Sequence, residues 1–280
     1  MRTGFVGGGN MAQAIAGGLL AQGAQPQGLM AIEPADAAQA FWRRRGLQVF
    51  ASFDAAMLDV DVLVLAVKPQ VMAGALAPFR GRLRGQLVLS IAAGVRVADL
   101  ARWLGAPGQP YPHVVRSMPN TPALAGAGMT GLHAPAALGA DHRTMAASLL
   151  QSVGQVAWFD DEAMLDAVTA VSGSGPAYVF YFIEALEQAA LEMGMAEDTA
   201  RLLARQTFLG GARLAAESAE SAAALRAKVT SPRGTTERAI ASFESAGLKA
   251  RFIEGVLAAR TRATELGNEM SAVQEDPPPC

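Results

Sequence analysis

The sequence has little cysteine, little charge and few aromatic residues. Of its 280 residues, one is cysteine, 17% are charged and 6% are aromatic. The single cysteine, Cys280, excludes a disulfide within the chain and a cluster of cysteine ligands, so we expect no metal site and a reducing, cytoplasmic location. The formal net charge is −2. This charge gives no basic surface for nucleic acid, and we expect no nucleic-acid partner.

The sequence also lacks a long apolar run. The most apolar stretch, residues 60–67, is interrupted by Asp61 and is much shorter than the ~20 residues that cross a bilayer. Glycines 7–9 follow the apolar pair 5–6 too early for the apolar region of a secretory signal. We therefore expect neither a membrane partner nor secretion.

The apolar residues that are present predict a two-part chain. Hydrophobic residues make up 51% of the sequence, enough for a large core. Since a domain usually has ~100–200 residues, a chain of 280 residues suggests two domains. In the first half, short apolar runs alternate with helical stretches, a pattern typical of a doubly wound α/β domain with a parallel sheet. The predicted strands include residues 5–6, 29–32, 62–67 and 87–91.

The pattern changes after residues 158–159, beyond which only helical periodicity is found. We predict a Rossmann-like N-terminal domain with a parallel-rich sheet at 1–159, an all-α dimerisation domain at 160–272 and a flexible tail at 273–280. Four aromatic residues within 178–182 exceed what one core face needs, which favours a homodimer.

A glycine-rich segment between the first strand and the first helix predicts a dinucleotide site. It matches the pattern G-x-G-x-x-G/A, in which Gly7 permits a tight turn, Gly9 lets the backbone approach a pyrophosphate and Ala12 keeps the helix close to the strand. The helix N-terminus then presents its N–H groups to the phosphates. The cofactor residues predicted here are Val6, Gly7, Gly8, Gly9, Asn10 and Met11.

An acidic residue, Glu33, ends the next predicted strand near the offset of ~20 residues that this motif expects. A carboxylate there usually accepts from the ribose hydroxyls and disfavours a 2′-phosphate, which favours NAD over NADP. Arg43, Arg44 and Arg45 could compensate, but their position is more typical of a solvated helix terminus. The residues alone leave both nucleotides open.

Further segments carry a family resemblance. They are LAVKPQ at 65–70, SIAAGV at 90–95, MPNTP at 118–122, SGSGPAY at 172–178 and KVTSPRGTT at 228–236. In this order the set resembles pyrroline-5-carboxylate reductase, from the first strand to about residue 270. The resemblance implies an N-terminal Rossmann domain and a helical domain interlocked with a second subunit. It further implies reduction of Δ1-pyrroline-5-carboxylate to L-proline, the last step of proline biosynthesis, by NADPH, with NADH possible given Glu33.

The resemblance also implies roles for individual residues. The nucleotide would be bordered by Ala66, Val67, Lys68, Pro69, Ala92, Ala93 and Asn120, and the substrate would be held by Ser231, Gly234, Thr235, Thr236 and Glu162. Its carboxylate would lie on backbone N–H groups near Gly234 and Thr235 at a helix start. The Thr236 hydroxyl would act in catalysis by orienting the ring nitrogen. The family further implies a homodimer that could assemble as a pentamer of dimers.

The sequence differs from the family pattern at three places. Arg233 stands where the family usually has glycine, Phe53 where many members have asparagine, and Glu33 where many NADPH-using members have a small or basic residue. The two threonines, Thr235 and Thr236, are also ordinary helix-capping residues, and we expect them both to cap and to bind substrate.

Two other functions compete with this one. A β-hydroxyacid dehydrogenase or imine reductase usually needs a catalytic lysine in the C-terminal half, and neither Lys228 nor Lys249 lies in a matching motif. A non-catalytic nucleotide sensor would have no use for the loop at 231–236. The histidines, His113 and His142 among them, have no motif context, and we expect ordinary structural positions for them.

Overall fold

The structure, a computed structural model, describes residues 1–273. The predicted tail at 273–280 therefore lies outside the described residues, except for Val273, which ends the last helix. Contacts between Cα atoms divide the chain into two compact units, residues 1–173 with the segment from 259 onward, and residues 174–258. The predicted domain boundary at residue 160 separates the part with strands from the all-helical part, which is a different criterion from these contacts. It stays a prediction.

The first unit contains an eight-stranded sheet in the order β3-β2-β1-β4-β5-β6-β7-β8. Every neighbouring pair is parallel except β6 and β7. The prediction of a parallel-rich Rossmann-like sheet is confirmed. The strands are β1 (Thr3–Val6), β2 (Leu29–Ile32), β3 (Gln48–Phe50), β4 (Val62–Leu65), β5 (Leu87–Ser90), β6 (Val114–Met118), β7 (Gly128–His133) and β8 (Gly154–Trp158).

Beyond β8 the described chain forms helices and turns, so the predicted all-α C-terminal part is confirmed as well. The helices of the sheet-containing half are α1 (Asn10–Ala21), α2 (Asp36–Arg44), α3 (Met72–Leu76), α4 (Val97–Leu104), α5 (Ala140–Gln151) and α6 (Met164–Val168). Those that follow are α7 (Gly175–Glu192), α8 (Glu197–Glu217), α9 (Ala222–Lys228), α10 (Thr235–Ser245) and α11 (Leu248–Val273). A π-helical turn, Thr169–Gly173, directly follows α6.

The central strands are buried on both faces because helices cover both sides of the sheet. Phe5 and Val6 are neighbours on β1 and point to opposite faces, so each belongs to a different core cluster. One cluster includes Ile15 of α1, and the other includes Trp103 of α4. Each such side chain stabilises the fold by roughly 1.5–3 kcal/mol.

The strand order also determines where a ligand can bind. The chain runs from β1 outward to β3 on one side and returns through β4 to the other side. The order therefore reverses between β1 and β4, whose ends at Val6 and Leu65 are paired. In open α/β sheets, ligands bind outside the carboxyl ends of the strands at this reversal.

The helical unit, residues 174–258, exposes many large apolar side chains. Phe180 and Tyr181 on α7 are 65% and 69% exposed, and Leu202 on α8 is 67% exposed. Apolar surface of this extent usually marks a contact with another chain. Among the helices within residues 1–273, none combines the length and apolar character that crossing a membrane requires.

Candidate active site

The glycine turn follows β1 at the point where the strand order reverses. Gly7 has a φ of 98°, a conformation that favours glycine. A Cβ added to Gly7 would lie 2.7 Å from the backbone oxygen of Ala66, which follows the neighbouring strand β4. The close approach of two adjacent strand ends therefore requires glycine here.

The start of α1 has the properties of a phosphate site. Its N-cap is Gly9, and within the described chain this end receives no side-chain cap. The first helical hydrogen bond runs from the Gln13 N–H to the Gly9 oxygen at 2.9 Å, so the helix does not use the N–H groups before Gln13. A Cβ added to Gly9 would meet none of the described atoms within 4 Å. Open space beside free donors fits the pyrophosphate of a dinucleotide.

Glu33, directly after β2, is tied to the same turn. One of its carboxylate oxygens accepts from the Gly8 N–H at 2.8 Å, and the other accepts from the Ala35 N–H at 2.8 Å. The carboxylate is half-buried and still lies at the carboxyl edge of the sheet, where the motif places the adenosine ribose.

The remaining predicted cofactor residues follow neighbouring parallel strands. Ala66 and Val67 come after β4, and Ala92 and Ala93 come after β5. Lys68 is exposed and precedes a short 3-10 helix that begins at Pro69. The structure thus brings these residues and the glycine turn to one edge of the sheet, and their contacts with a nucleotide remain predictions.

Asn120, which follows β6, uses its side chain inside the protein. Its Nδ2 donates to the backbone oxygen of Ser172 in the π-helical turn at 3.0 Å, and its Oδ1 accepts from the Met129 N–H at 2.9 Å. The side chain is buried, so its visible role is to fix the π-helical turn to the sheet. The contact of Asn120 with the nucleotide stays a prediction.

An ion cluster around the buried Arg116 lies beside this edge. The Arg116 guanidinium on β6 is 3.1 Å from a Glu162 oxygen and 3.4 Å from an Asp166 oxygen. The same Glu162 oxygen accepts from the Val97 N–H at 2.9 Å, and Asp166 also accepts from the Thr264 hydroxyl at 3.0 Å. Glu162 thus has a structural role at the start of α4, and its predicted contact with substrate stays a prediction.

Sequence reasoning did not identify Arg116 or Asp166. The available signal was Arg116 itself, a charged residue in the middle of an apolar strand. Arginine is almost never fully buried without a partner, so a buried acidic partner could have been expected. A cavity of about 220 Å³ adjoins this cluster and the predicted nicotinamide loops. It is lined by Pro69, Gln70, Ala93, Gly94, Asp166, Thr169, Ala263, Leu266 and Met270.

In the helical unit, the predicted substrate loop forms a tight turn before α10. The Gly234 N–H donates to the Ser231 oxygen at 3.0 Å, and a Cβ on Gly234 would lie 2.6 Å from the Ser231 hydroxyl oxygen. The N–H of Gly234 is therefore used within the loop. The first helical hydrogen bond runs from the Arg238 N–H to the Gly234 oxygen, so the donors left for a carboxylate are the N–H groups of Thr235, Thr236 and Glu237.

The predicted capping by the threonines is wrong. Gly234 is the N-cap, and neither threonine hydroxyl caps α10 in the part of the chain that the structure describes. Instead, the Glu237 carboxylate reaches back to accept from the Arg233 N–H at 2.6 Å. Arg233 has a φ of 61° and is the one non-glycine residue with positive φ within residues 1–273. The loop thus keeps the backbone shape of glycine at this position.

The sheet order and the glycine turn at its reversal point define a dinucleotide-binding protein of the Rossmann type. A family model described as pyrroline-5-carboxylate reductase dimerisation matches residues 162–266, and one described as NADP oxidoreductase coenzyme F420-dependent matches residues 2–94. A pyrroline-5-carboxylate reductase from Pseudomonas aeruginosa is 44% identical over 96% of this chain and 98% of its own length. The chain belongs to the pyrroline-5-carboxylate reductase family.

Solved structures agree with this assignment. A pyrroline-5-carboxylate reductase from Coxiella burnetii is 39% identical, with a TM-score of 0.88 over 95% of this chain and 98% of that one. A pyrroline carboxylate reductase from Plasmodium falciparum with NADP bound is 26% identical, with a TM-score of 0.82 over the same shares. The protein is thus an oxidoreductase that forms a homo-oligomer and acts on a small molecule. The two competing functions are not favoured.

Proposed function

We propose that the chain reduces Δ1-pyrroline-5-carboxylate to L-proline with NADPH as the hydride donor. The observation that carries this function is the family relationship over 96% of the chain, combined with a helix start that fits a pyrophosphate. Bound NADPH would supply a hydride to the carbon of the C=N bond. With a proton taken up from water by the ring nitrogen, the imine would become a secondary amine and the cofactor NADP⁺.

The residues of the first unit hold and orient the cofactor in this proposal. The N–H groups before Gln13 in α1 bind the pyrophosphate, because they are unused by the helix and lie at its positive end. The loops after β4 and β5, with Ala66 and Ala92, border the nicotinamide half. Glu33 already accepts two backbone hydrogen bonds, which offset part of its charge where the 2′-phosphate of NADPH would lie.

The loop before α10 holds the substrate in this proposal. The N–H groups of Thr235 and Thr236 receive the carboxylate, since a helix N-terminus binds an anion without a basic side chain. The hydroxyl of Thr236, which is half-buried, accepts or donates a hydrogen bond at the ring nitrogen and orients the C=N bond. Ser231 and Gly234 shape the loop, because the Gly234 N–H donates a hydrogen bond to the backbone oxygen of Ser231.

The exposed apolar side chains of α7 and α8 form the dimer contact in this proposal, and the dimers assemble as a pentamer of dimers. Light scattering coupled to size-exclusion chromatography measures this directly, since the chain has a mass of 29.0 kDa. A mass about ten times that value supports the decamer. A monomer at micromolar concentration contradicts the dimer contact. We place the enzyme in the cytoplasm, because proteins of this reducing compartment rarely contain disulfides.

The test of function uses purified protein, Δ1-pyrroline-5-carboxylate and NADPH. Absorbance of the reduced nicotinamide should fall only when both are present, and L-proline should accumulate in equal amount by chromatography. NADH is tested in parallel at matched concentration. A protein that binds NADPH and does not oxidise it with this substrate would be a sensor and would contradict the proposal.

A further inference from the structure

Helix α2 has two buried side chains, and both donate hydrogen bonds to backbone oxygens at the sheet edge where the nucleotide is proposed to bind. They are Gln39 and Trp42, which are 1% and 0% exposed and lie one turn apart. Gln39 Nε2 donates to the backbone oxygen of Glu33 at 2.7 Å, and Trp42 Nε1 donates to the backbone oxygen of Gly8 at 3.1 Å. The buried face of this helix therefore makes polar contacts with the ends of β2 and β1.

The peptide groups on either side of Gly8 receive contacts from three side chains. The Gly8 N–H donates to Glu33 at 2.8 Å, and the Gly8 oxygen accepts from Trp42 and from Gln13 Nε2, the latter at 2.8 Å. A Cβ on Gly8 would lie 2.6 Å from the indole nitrogen, so the indole packs directly on the turn. With its donor and its acceptor both engaged, Gly8 has little freedom to rotate.

We infer that Trp42 is a positioning residue for the cofactor, which acts through Gly8 to fix the glycine turn in its phosphate-binding form. Because the Gly8 oxygen is held by Trp42, the N–H groups that follow from Gly9 onward keep their direction at the start of α1. Pre-organised donors bind an anion more tightly, since no ordering is needed on binding. This inference rests on the proposed use of NADPH.

The experiment compares Trp42→Phe with Trp103→Phe. Phenylalanine keeps an aromatic ring beside Phe5 and Phe41, whose ring centroids lie 5.2 and 5.7 Å from that of Trp42. It removes the indole donor together with the volume of the second ring, and Trp103→Phe loses the same volume. Trp103 is the matched control, because it is 2% exposed and its Nε1 donates to nothing within residues 1–273. The dissociation constant of NADPH is measured by calorimetry, and kcat and KM by steady-state assay.

Trp42→Phe should raise the dissociation constant and the KM of NADPH roughly three- to tenfold, the range of one net hydrogen bond. Its kcat at saturating NADPH should stay within about twofold of wild type, and Trp103→Phe should leave all three constants within about twofold. Equal dissociation constants in the two variants, or a fall of kcat in Trp42→Phe with unchanged NADPH affinity, would overturn the inference.

A second variant covers the case in which Trp42→Phe does not fold. Gln13→Met removes the other donor to the Gly8 oxygen from a half-exposed position on α1. It should also weaken NADPH binding roughly threefold or more, and unchanged binding would overturn the inference. Wild-type turnover of pyrroline-5-carboxylate tests the proposed function separately, so the failure of one proposal is distinguished from the failure of the other.

Discussion

The Glu33 carboxylate accepts a hydrogen bond of 2.8 Å from the backbone N–H of Gly8, which joins the end of β2 to the glycine turn after β1. The contact gives one side chain two consequences. It holds the turn, and it places a negative charge at the sheet edge where the 2′-phosphate of NADPH would lie. The same residue thus affects both the affinity for nucleotide and the choice between NADPH and NADH.

Glu33→Ser should change that choice. Without the carboxylate, repulsion of the 2′-phosphate is relieved, and the ratio of kcat/KM for NADPH over NADH should rise roughly tenfold, equivalent to about 1.4 kcal/mol. The absolute affinity for both nucleotides should fall, because serine is too short to reach the Gly8 N–H. Asp59→Ser is the control: it removes the same charge from an exposed position before β4, at the opposite edge of the sheet. An unchanged ratio in Glu33→Ser would refute the ribose assignment.

Thr236→Ala should slow turnover and spare nucleotide binding. Loss of the hydroxyl leaves the ring nitrogen without its orienting contact, and misorientation of a reacting bond lowers kcat/KM for pyrroline-5-carboxylate by roughly 10- to 100-fold. The dissociation constant of NADPH should stay within about twofold. Ser245→Ala, at the other end of α10, is the matched control and should behave as wild type. Normal turnover in Thr236→Ala would remove this residue from the mechanism.

The parts of the site that follow from local sequence could be predicted, and the parts that depend on distant partners could not. The glycine turn at 7–9 is set by backbone conformation, and the apolar runs determine the buried strands. The sequence gives no sign that Asn120 holds Ser172, or that Arg116 pairs with Glu162, because such contacts depend on how distant segments pack. The predicted capping by Thr235 is wrong because Thr235 is already the first residue of α10, and the N-cap is the residue before it, Gly234.

Arg233→Gly should stabilise the protein relative to Arg233→Ala. Both variants remove the guanidinium, but only glycine adopts the φ of 61° without the roughly 1–2 kcal/mol that a left-handed conformation costs other residues. The greater freedom of glycine in the unfolded chain offsets roughly 0.5–1 kcal/mol of this gain. The urea midpoint of Arg233→Gly should therefore exceed that of Arg233→Ala at equal protein concentration. The reverse order would show that the loop carries no strain at this position.

The stability of the first unit should depend on the protonation of His113. Burial, and secondly the charge of His142, lower the pKa of His113 from its ordinary value of 6.5, and the two ring centroids are 4.6 Å apart. The folded protein then binds fewer protons than the unfolded chain, so this stabilisation is fully present above pH 6.5 and is lost as the pH falls toward the lowered pKa. His113→Gln should flatten the decline of the unfolding midpoint below pH 6.5. His142→Gln should flatten it less, since it removes the second cause only. A decline as steep in His113→Gln as in wild type would exclude this origin.

Glu162→Gln separates a structural role from the predicted contact with substrate. The amide keeps the shape of the carboxylate and can still accept from the Val97 N–H, but it loses the charge that faces the buried Arg116 guanidinium. Hydrogen bonds to charged groups contribute roughly 1.5–3 kcal/mol, so the unfolding midpoint should fall, and the predicted contact with substrate should in addition raise the KM for pyrroline-5-carboxylate. Glu265→Gln is the control, because its partner Arg262 is exposed and surface pairs of this kind contribute little. A lower midpoint with an unchanged KM would remove Glu162 from the substrate site, and a raised KM with an unchanged midpoint would exclude the structural role.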